Sequence, residues 1–329
     1  MRIGAASRWT SYRILPFPSL VAVGVVLSLA GATPGQAEDC LDCHEVDVDR
    51  IAESVHGFLE CAECHPVGED LDAHMEIGAP ADCSSCHDDT VSEFEASIHG
   101  QVGAAAFVGS EGCSMCHGPI HQLDHRHGPE CMTDPEHIAE TCGRCHSDPE
   151  LAADLGIRLI QPVEAYTASV HARSLAAGEG GATCSDCHGS HDIRPSSDPR
   201  SMVHHQQVPK TCSTCHAEIS EVFERSVHGR AAAHGLDDAP VCTDCHGEHR
   251  ILAPQDAESR VYPTNIPKMT CGRCHGDLKL SEKYGMASDK VPAYEDSYHG
   301  LAGRFGITRV AHCASCHGVH DILPSTDAE

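Results

Sequence analysis

Residues 212–249 read CSTCHAEISEVFERSVHGRAAAHGLDDAPVCTDCHGEH, and the order of chemical groups in that stretch decides how the whole chain is read. Cys212, Cys215 and His216 open it, a short run with apolar residues at helical spacing leads to Ser226-Val227-His228-Gly229, and a second trio, Cys242, Cys245 and His246, follows. One more histidine, His249, stands three residues beyond that trio. In a helical turn, positions i, i+3 and i+4 share a face, so two thiols and an imidazole spaced as C-x-x-C-H project together. Two such thiols can add to the two vinyl groups at one edge of a haem while the imidazole reaches the iron, and the spacing is the c-type haem attachment signature.

Working outward, the same order recurs five times. First motifs are Cys40/Cys43/His44, Cys83/Cys86/His87, Cys142/Cys145/His146, Cys212/Cys215/His216 and Cys271/Cys274/His275. Second motifs are Cys61/Cys64/His65, Cys113/Cys116/His117, Cys184/Cys187/His188, Cys242/Cys245/His246 and Cys313/Cys316/His317. Between them lies S-x-H, ending at His56, His99, His171, His228 and His299. The last four second motifs extend to His121, His191, His249 and His320, and the first repeat offers only His74 in their stead. Repeats of this kind define the architecture before any secondary structure does. The boundaries fall at about 38–80, 81–137, 138–207, 208–266 and 267–329, here repeats I to V, behind a signal peptide at 1–37.

Ten proximal histidines and ten candidates for the opposite face would supply ten six-coordinate irons. A histidine three residues from a proximal ligand cannot pass round the porphyrin to the same iron, because three extended residues span at most about 11 Å. His191 and its equivalents are therefore expected to cap a different haem. His125, His127, His137, His204, His205, His234 and His312 are left for surface or haem-propionate roles, and methionine ligands are not needed. Zinc ribbons and disulfide frameworks also use paired cysteines, but neither demands a histidine after every second one. Cys131 is the odd cysteine, expected as a buried free thiol near the position that Ser201 and Ser259 hold in later repeats.

The expected fold is mainly α with extensive loops and little or no sheet: five tandem dihaem units around a haem core. Helices are read over Asp47–His56, Thr90–His99 and Ile219–His228, and the Gly-, Pro-, Asp- and Ser-rich remainder as loops. Aromatic residues make up only 4% of the chain, too few to build an ordinary core of this size. Arg2, Arg8 and Arg13 before an apolar run from Leu20 to Ala32, ending in Gly35-Gln36-Ala37, mark an exported chain, periplasmic or extracellular. A net charge of −27 disfavours nucleic acid and anionic membranes as partners and favours basic docking proteins. At about 29 residues per haem, irons would lie about 15 Å apart or closer. Electron transfer is the function this composition suggests. A reductase of nitrite or hydroxylamine would need an open iron, although all ten motifs keep their histidine; a filament subunit would lend histidines between chains.

On the repeated S-x-H-G and C-x-x-C-H-G-x-H motifs, the chain from Cys40 to Glu329 resembles the multihaem cytochrome c superfamily, in particular decahaem and class III-like periplasmic electron carriers. The resemblance implies ten covalently bound haem c groups with bis-histidine iron, and partners such as a membrane quinol dehydrogenase and a terminal acceptor, with no catalytic residues. Repeat I departs from the pattern by lacking the extended second motif. The stretch after His320 reaches Glu329 where the equivalents of Ser201 and Ser259 would be due.

Overall fold

The computed structural model describes residues 40–41, 44–65, 81–102, 110–125, 127–128, 130–154, 157 and 161–324. The signal segment, Cys43 and His74 lie outside them. Two compact units are present, 1–46 and 47–329. In the first, the His44 N–H donates to the Cys40 carbonyl at 3.0 Å, closing one helical turn over the motif. The second holds everything else. Among the described residues the regular structure is helical, with no strand, and no helix is long and apolar enough to cross a membrane.

Each repeat uses short helices in a fixed order. In repeat IV these are Val208–Ser213, Ala217–Arg225, Val227–Ala233 and Cys242–His246. The expected helix over Ile219–His228 is in fact two. The first ends at Arg225, Ser226 is extended at φ −69° and ψ 167°, and a new helix starts at Val227. The stretches from Asp47 and Thr90 break in the same way, at Ser54 and Ser97. Serine causes the break by offering its hydroxyl as a cap in place of the next helical bond. The Gly229 N–H donates to Ser226 Oγ at 3.0 Å, and the Ser226 N–H closes the previous helix on the Phe223 carbonyl at 2.9 Å. His99, His171, His228 and His299 therefore sit in the first turn of a helix, whereas His56 lies in a turn. Glycine follows because the two helices nearly touch: a Cβ at Gly229 would collide with the Phe223 carbonyl.

Adjacent repeats are joined by one recurring backbone bond. The N–H just after the serine donates to the carbonyl two residues beyond the next repeat's extended histidine. The four examples are Val55 to Leu123 at 2.9 Å, and Ile98 to Ile193, Val170 to Ile251 and Val227 to Ile322, each at 2.8 Å. Side chains add little core. The buried apolar residues are Cys131, Ala152, Val208, Ala239, Val241, Leu252, Ile266 and Ala302, and the least exposed side chains are Val241 and the serines Ser97, Ser169 and Ser226. What the repeats have in common at their centres is histidine and cysteine, not hydrocarbon.

Candidate functional site

The second motifs are held by a device that their middle residue supplies. In repeat IV the Val241 N–H donates to Asp244 at 2.8 Å; in repeat III the Thr183 N–H donates to Asp186 at 2.7 Å. Glu60 with Glu63 and His312 with Ser315 repeat the contact at 2.8 and 3.1 Å. An acidic or hydroxyl residue before the second cysteine therefore caps the helix that presents both thiols and the imidazole. Repeat II has Met115 there, which is exposed. The glycine after the motif ends the helix with a positive φ, 82° at Gly189 and 87° at Gly247, a region where a side chain is strained. That reversal turns the chain so that the extended histidine points away from its own motif.

Those histidines meet proximal histidines of the preceding repeat. His121 faces His65, His191 faces His117, His249 faces His188 and His320 faces His246, with ring centroids 6.0, 6.1, 6.0 and 6.0 Å apart. The S-x-H histidines run the other way and meet first-motif histidines of the following repeat. His56 faces His87 at 6.0 Å, His99 faces His146 at 6.1 Å, and His171–His216 and His228–His275 are each at 6.2 Å. Among the described residues these eight pairs follow one rule, and every junction between repeats carries one pair of each kind. The two kinds differ in orientation except at the first junction, where His65–His121 is crossed at 57°. Three extended-motif pairs are close to parallel, at 13°, 5° and 17°, while the S-x-H pairs are crossed at 45° to 70°.

A spacing of about 6 Å is too wide for ring stacking in contact, yet it is the spacing two imidazoles keep across one metal ion. Two metal–nitrogen bonds of about 2 Å each, plus about 1.1 Å from each nitrogen to its ring centre, give about 6 Å. The donor set fits iron in a macrocycle. The paired imidazoles would be able to hold the iron of a haem, and the two thiols beside one of them would be able to attach it. Among the described residues no group of three or more His, Cys, Asp or Glu gathers as a site for a bare ion would. Loss of solvation in these clefts, followed by the facing ring, holds His228 down to about 4 and lowers His99, His188 and His246. The rings are kept neutral, which is the state that binds iron.

The thiols form a second pattern. Within a repeat, first cysteines of the two motifs come together: Cys142 with Cys184, Cys212 with Cys242 and Cys271 with Cys313 are hydrogen-bonded thiol pairs, and Cys83 with Cys113 is another. The donor of each of the first three pairs is pushed up by that bond, and its acceptor is lowered. Between repeats, the second motif's last cysteine lies within electrostatic reach of the next first motif. Burial pushes Cys187 up to about 11, with Cys212 adding to it, and raises Cys64, with Cys83 and Cys86 adding. Cys142, Cys184, Cys212, Cys242, Cys271 and Cys313 meet as thiols and not as disulfides.

Cys145 and Cys316, like the second cysteines Cys64, Cys116, Cys187, Cys245 and Cys274, enter none of these hydrogen-bonded thiol pairs. Cys145 is half-buried, and its neighbour lies across the junction: loss of solvation raises Cys116 of the preceding repeat, with Cys145 adding to it. Its place as the second cysteine of a first motif turns it toward the repeat before, while Cys142 takes the contact with Cys184 inside the repeat. Cys316 is exposed, whereas its repeat III and IV counterparts, Cys187 and Cys245, are half-buried. Those counterparts are each approached by the first motif of a following repeat, at Cys212 and Cys274, and among the described residues no such motif follows Cys316.

The remaining candidates are placed as follows. Among the described residues neither His299 nor His317 faces another imidazole; the ring beside His299 is Tyr298. His127 bonds Asp134 at 3.0 Å, His137 bonds the Cys131 carbonyl at 2.9 Å and His205 bonds Asp244 at 3.2 Å. Cys131 is buried and occupies the turn position of Ser201 and Ser259: the Asp134 N–H reaches the Cys131 carbonyl as the His204 and Tyr262 N–H groups reach those serines. Sequence reading missed the Asp186 and Asp244 caps, although the acidic residue inside C-x-D-C-H was their signal. No family model, curated protein or solved structure matches this chain.

Proposed function

We propose that the chain is an exported multihaem c-type cytochrome that conducts electrons through closely spaced haems. The observation that carries this reading is the set of eight imidazole pairs, each 6.0–6.2 Å apart and each pairing a C-x-x-C-H histidine with one from a neighbouring repeat. Haem c, when bound, would supply one-electron redox chemistry. The residues of this chain would do the rest. The thiols of each C-x-x-C-H motif would hold a group covalently, the eight imidazole pairs would ligate eight of the irons, and the helix caps would keep those imidazoles oriented.

Conduction follows from the succession of motifs. Contacts between thiols link the two motifs inside repeats II to V, and Cys64, Cys116, Cys187 and Cys245 reach the cysteines of the next repeat. Attachment edges thus adjoin from the second motif of repeat I to the last of repeat V. Filled axial positions leave those irons no place for substrate, which supports a carrier over a reductase. The signal-like segment and the charge of −27 support export and a basic redox partner, with a membrane quinol dehydrogenase and a terminal acceptor as the classes that the family resemblance suggests. Reductive titration of the matured protein tests this. Ten electron equivalents per chain, with at least eight irons low-spin in both oxidation states, are expected; a chain that takes up none, or whose irons are mostly high-spin, would contradict it.

A further inference from the structure

Every junction between repeats uses three bonds in the same register: two facing imidazole pairs and one backbone hydrogen bond. Repeat V carries its half of all three, with nothing opposite among the described residues. His299 stands where His228 stands in repeat IV. Ser297 caps its helix by accepting from the Gly300 N–H at 3.2 Å, yet no imidazole faces it. His317 stands where His246 stands, and no extended histidine faces it. The Tyr298 N–H stands where the Val227 N–H meets the Ile322 carbonyl, and among the described residues it has no acceptor.

The surface there agrees. Ser54, Ser97, Ser169 and Ser226 are buried by the repeat that follows each of them, whereas Ser297 is only half-buried. Tyr298 is 75% exposed, Phe305 85% and Val319 63%. Leu301 and Phe305 take the positions of Arg230 and His234 in repeat IV, so apolar residues replace polar ones where the surface is open. Exposed apolar groups clustered around unmade polar bonds mark an interaction site.

We infer that repeat V is a docking face for a dihaem repeat lying outside this sequence, built like repeats II to V. The inference rests on the haem reading above. Continuity with the internal junctions specifies the occupant. It presents a C-x-x-C-H iron with an open axial position for His299, an extended-motif imidazole for the iron held by His317, and a carbonyl two residues beyond that imidazole for the Tyr298 N–H. Repeat I of a second copy does not meet this description, because Pro66-Val67-Gly68 follows His65 in place of Gly-x-His.

Two probes on the fully matured chain test it. In the isolated protein the iron held by His317 is expected to be high-spin, with the signal lost in Cys313→Ser/Cys316→Ser, and free imidazole should convert that one iron to low-spin. A haem peptide carrying one C-x-x-C-H motif and an open axial position should bind as a low-spin complex, at least tenfold more weakly in His299→Ala and unchanged in His234→Ala. Ten attached haems that are all low-spin in the monomer would overturn the inference, as would equal binding of the peptide by wild type and His299→Ala. Loss of the high-spin signal on self-association would make the occupant a second copy and overturn the assignment of a separate repeat. Failure of the haem reading itself would look different: the haems would be missing from the mass of the protein.

Discussion

At the scale of single residues, the histidine three positions past a motif faces a motif histidine of the preceding repeat, so under the haem proposal it would ligate a different iron from its own motif's. His249 faces His188 at 6.0 Å, while His246, beside it in sequence, faces His320. His249→Ala is therefore expected to leave the haem at Cys242 and Cys245 low-spin and to turn the one at Cys184 and Cys187 partly high-spin, with a shift in its potential. Magnetic circular dichroism of the variant beside a Cys184→Ser/Cys187→Ser control would locate the defect; finding it on the haem of His246 would refute the pairing. That His249 would pair away from its own motif was legible from chain reach alone. Which histidine it would face was not, because the partner is set by the positive φ of Gly247 and by how far the chain turns before Ile251, neither of which has a periodic signature. The same holds for the thiols: the motifs alone gave no sign of which cysteines would meet inside a repeat and which across a junction, since that depends on which repeat lies alongside. The serine is equally local. Ser226→Ala removes the hydroxyl that accepts from Gly229 and should cost about 1 kcal/mol in thermal unfolding.

At the scale of elements, the helices orient the imidazoles, and three extended-motif pairs come out nearly parallel while the S-x-H pairs and His65–His121 come out crossed. Nearly parallel rings, as in His188–His249 at 5°, split the iron orbitals that bond to both; crossed rings, as in His99–His146 at 70°, leave them nearly degenerate. Low-temperature electron paramagnetic resonance is expected to show two low-spin populations, one of ordinary rhombic form and one strongly anisotropic. A single population would mean that the helix geometry does not set ring orientation. The helical class and the absence of strands among the described residues follow from the short amphipathic runs and frequent breakers in the sequence. The break at serine was missed there, because the apolar spacing runs on from Ile219 through Val222 and Val227 as if one helix continued, while a single hydroxyl cap divides it.

At the scale of the molecule, the repeats cohere through their histidines more than through apolar packing. The largest of the least exposed side chains is Val241, and three of that group are serines, so hydrocarbon alone cannot order repeats of this length. The 4% aromatic content pointed to a missing ordinary core, and the haem core proposed in its place is an expectation drawn from the cysteines and histidines. The sequence could not show that the facing histidines at each junction run in both directions, since that depends on three-dimensional register between repeats. Removal of haem is expected to abolish cooperative unfolding of the chain, which differential calorimetry of apo and matured protein would reveal. The central claim, that every C-x-x-C-H motif holds a covalent haem, is tested most directly by the intact mass of the denatured, matured protein. The mass of the processed chain plus ten haems, with no free motif thiols, is the expected result; the bare chain's mass, or one lowered only by disulfide formation, would contradict it.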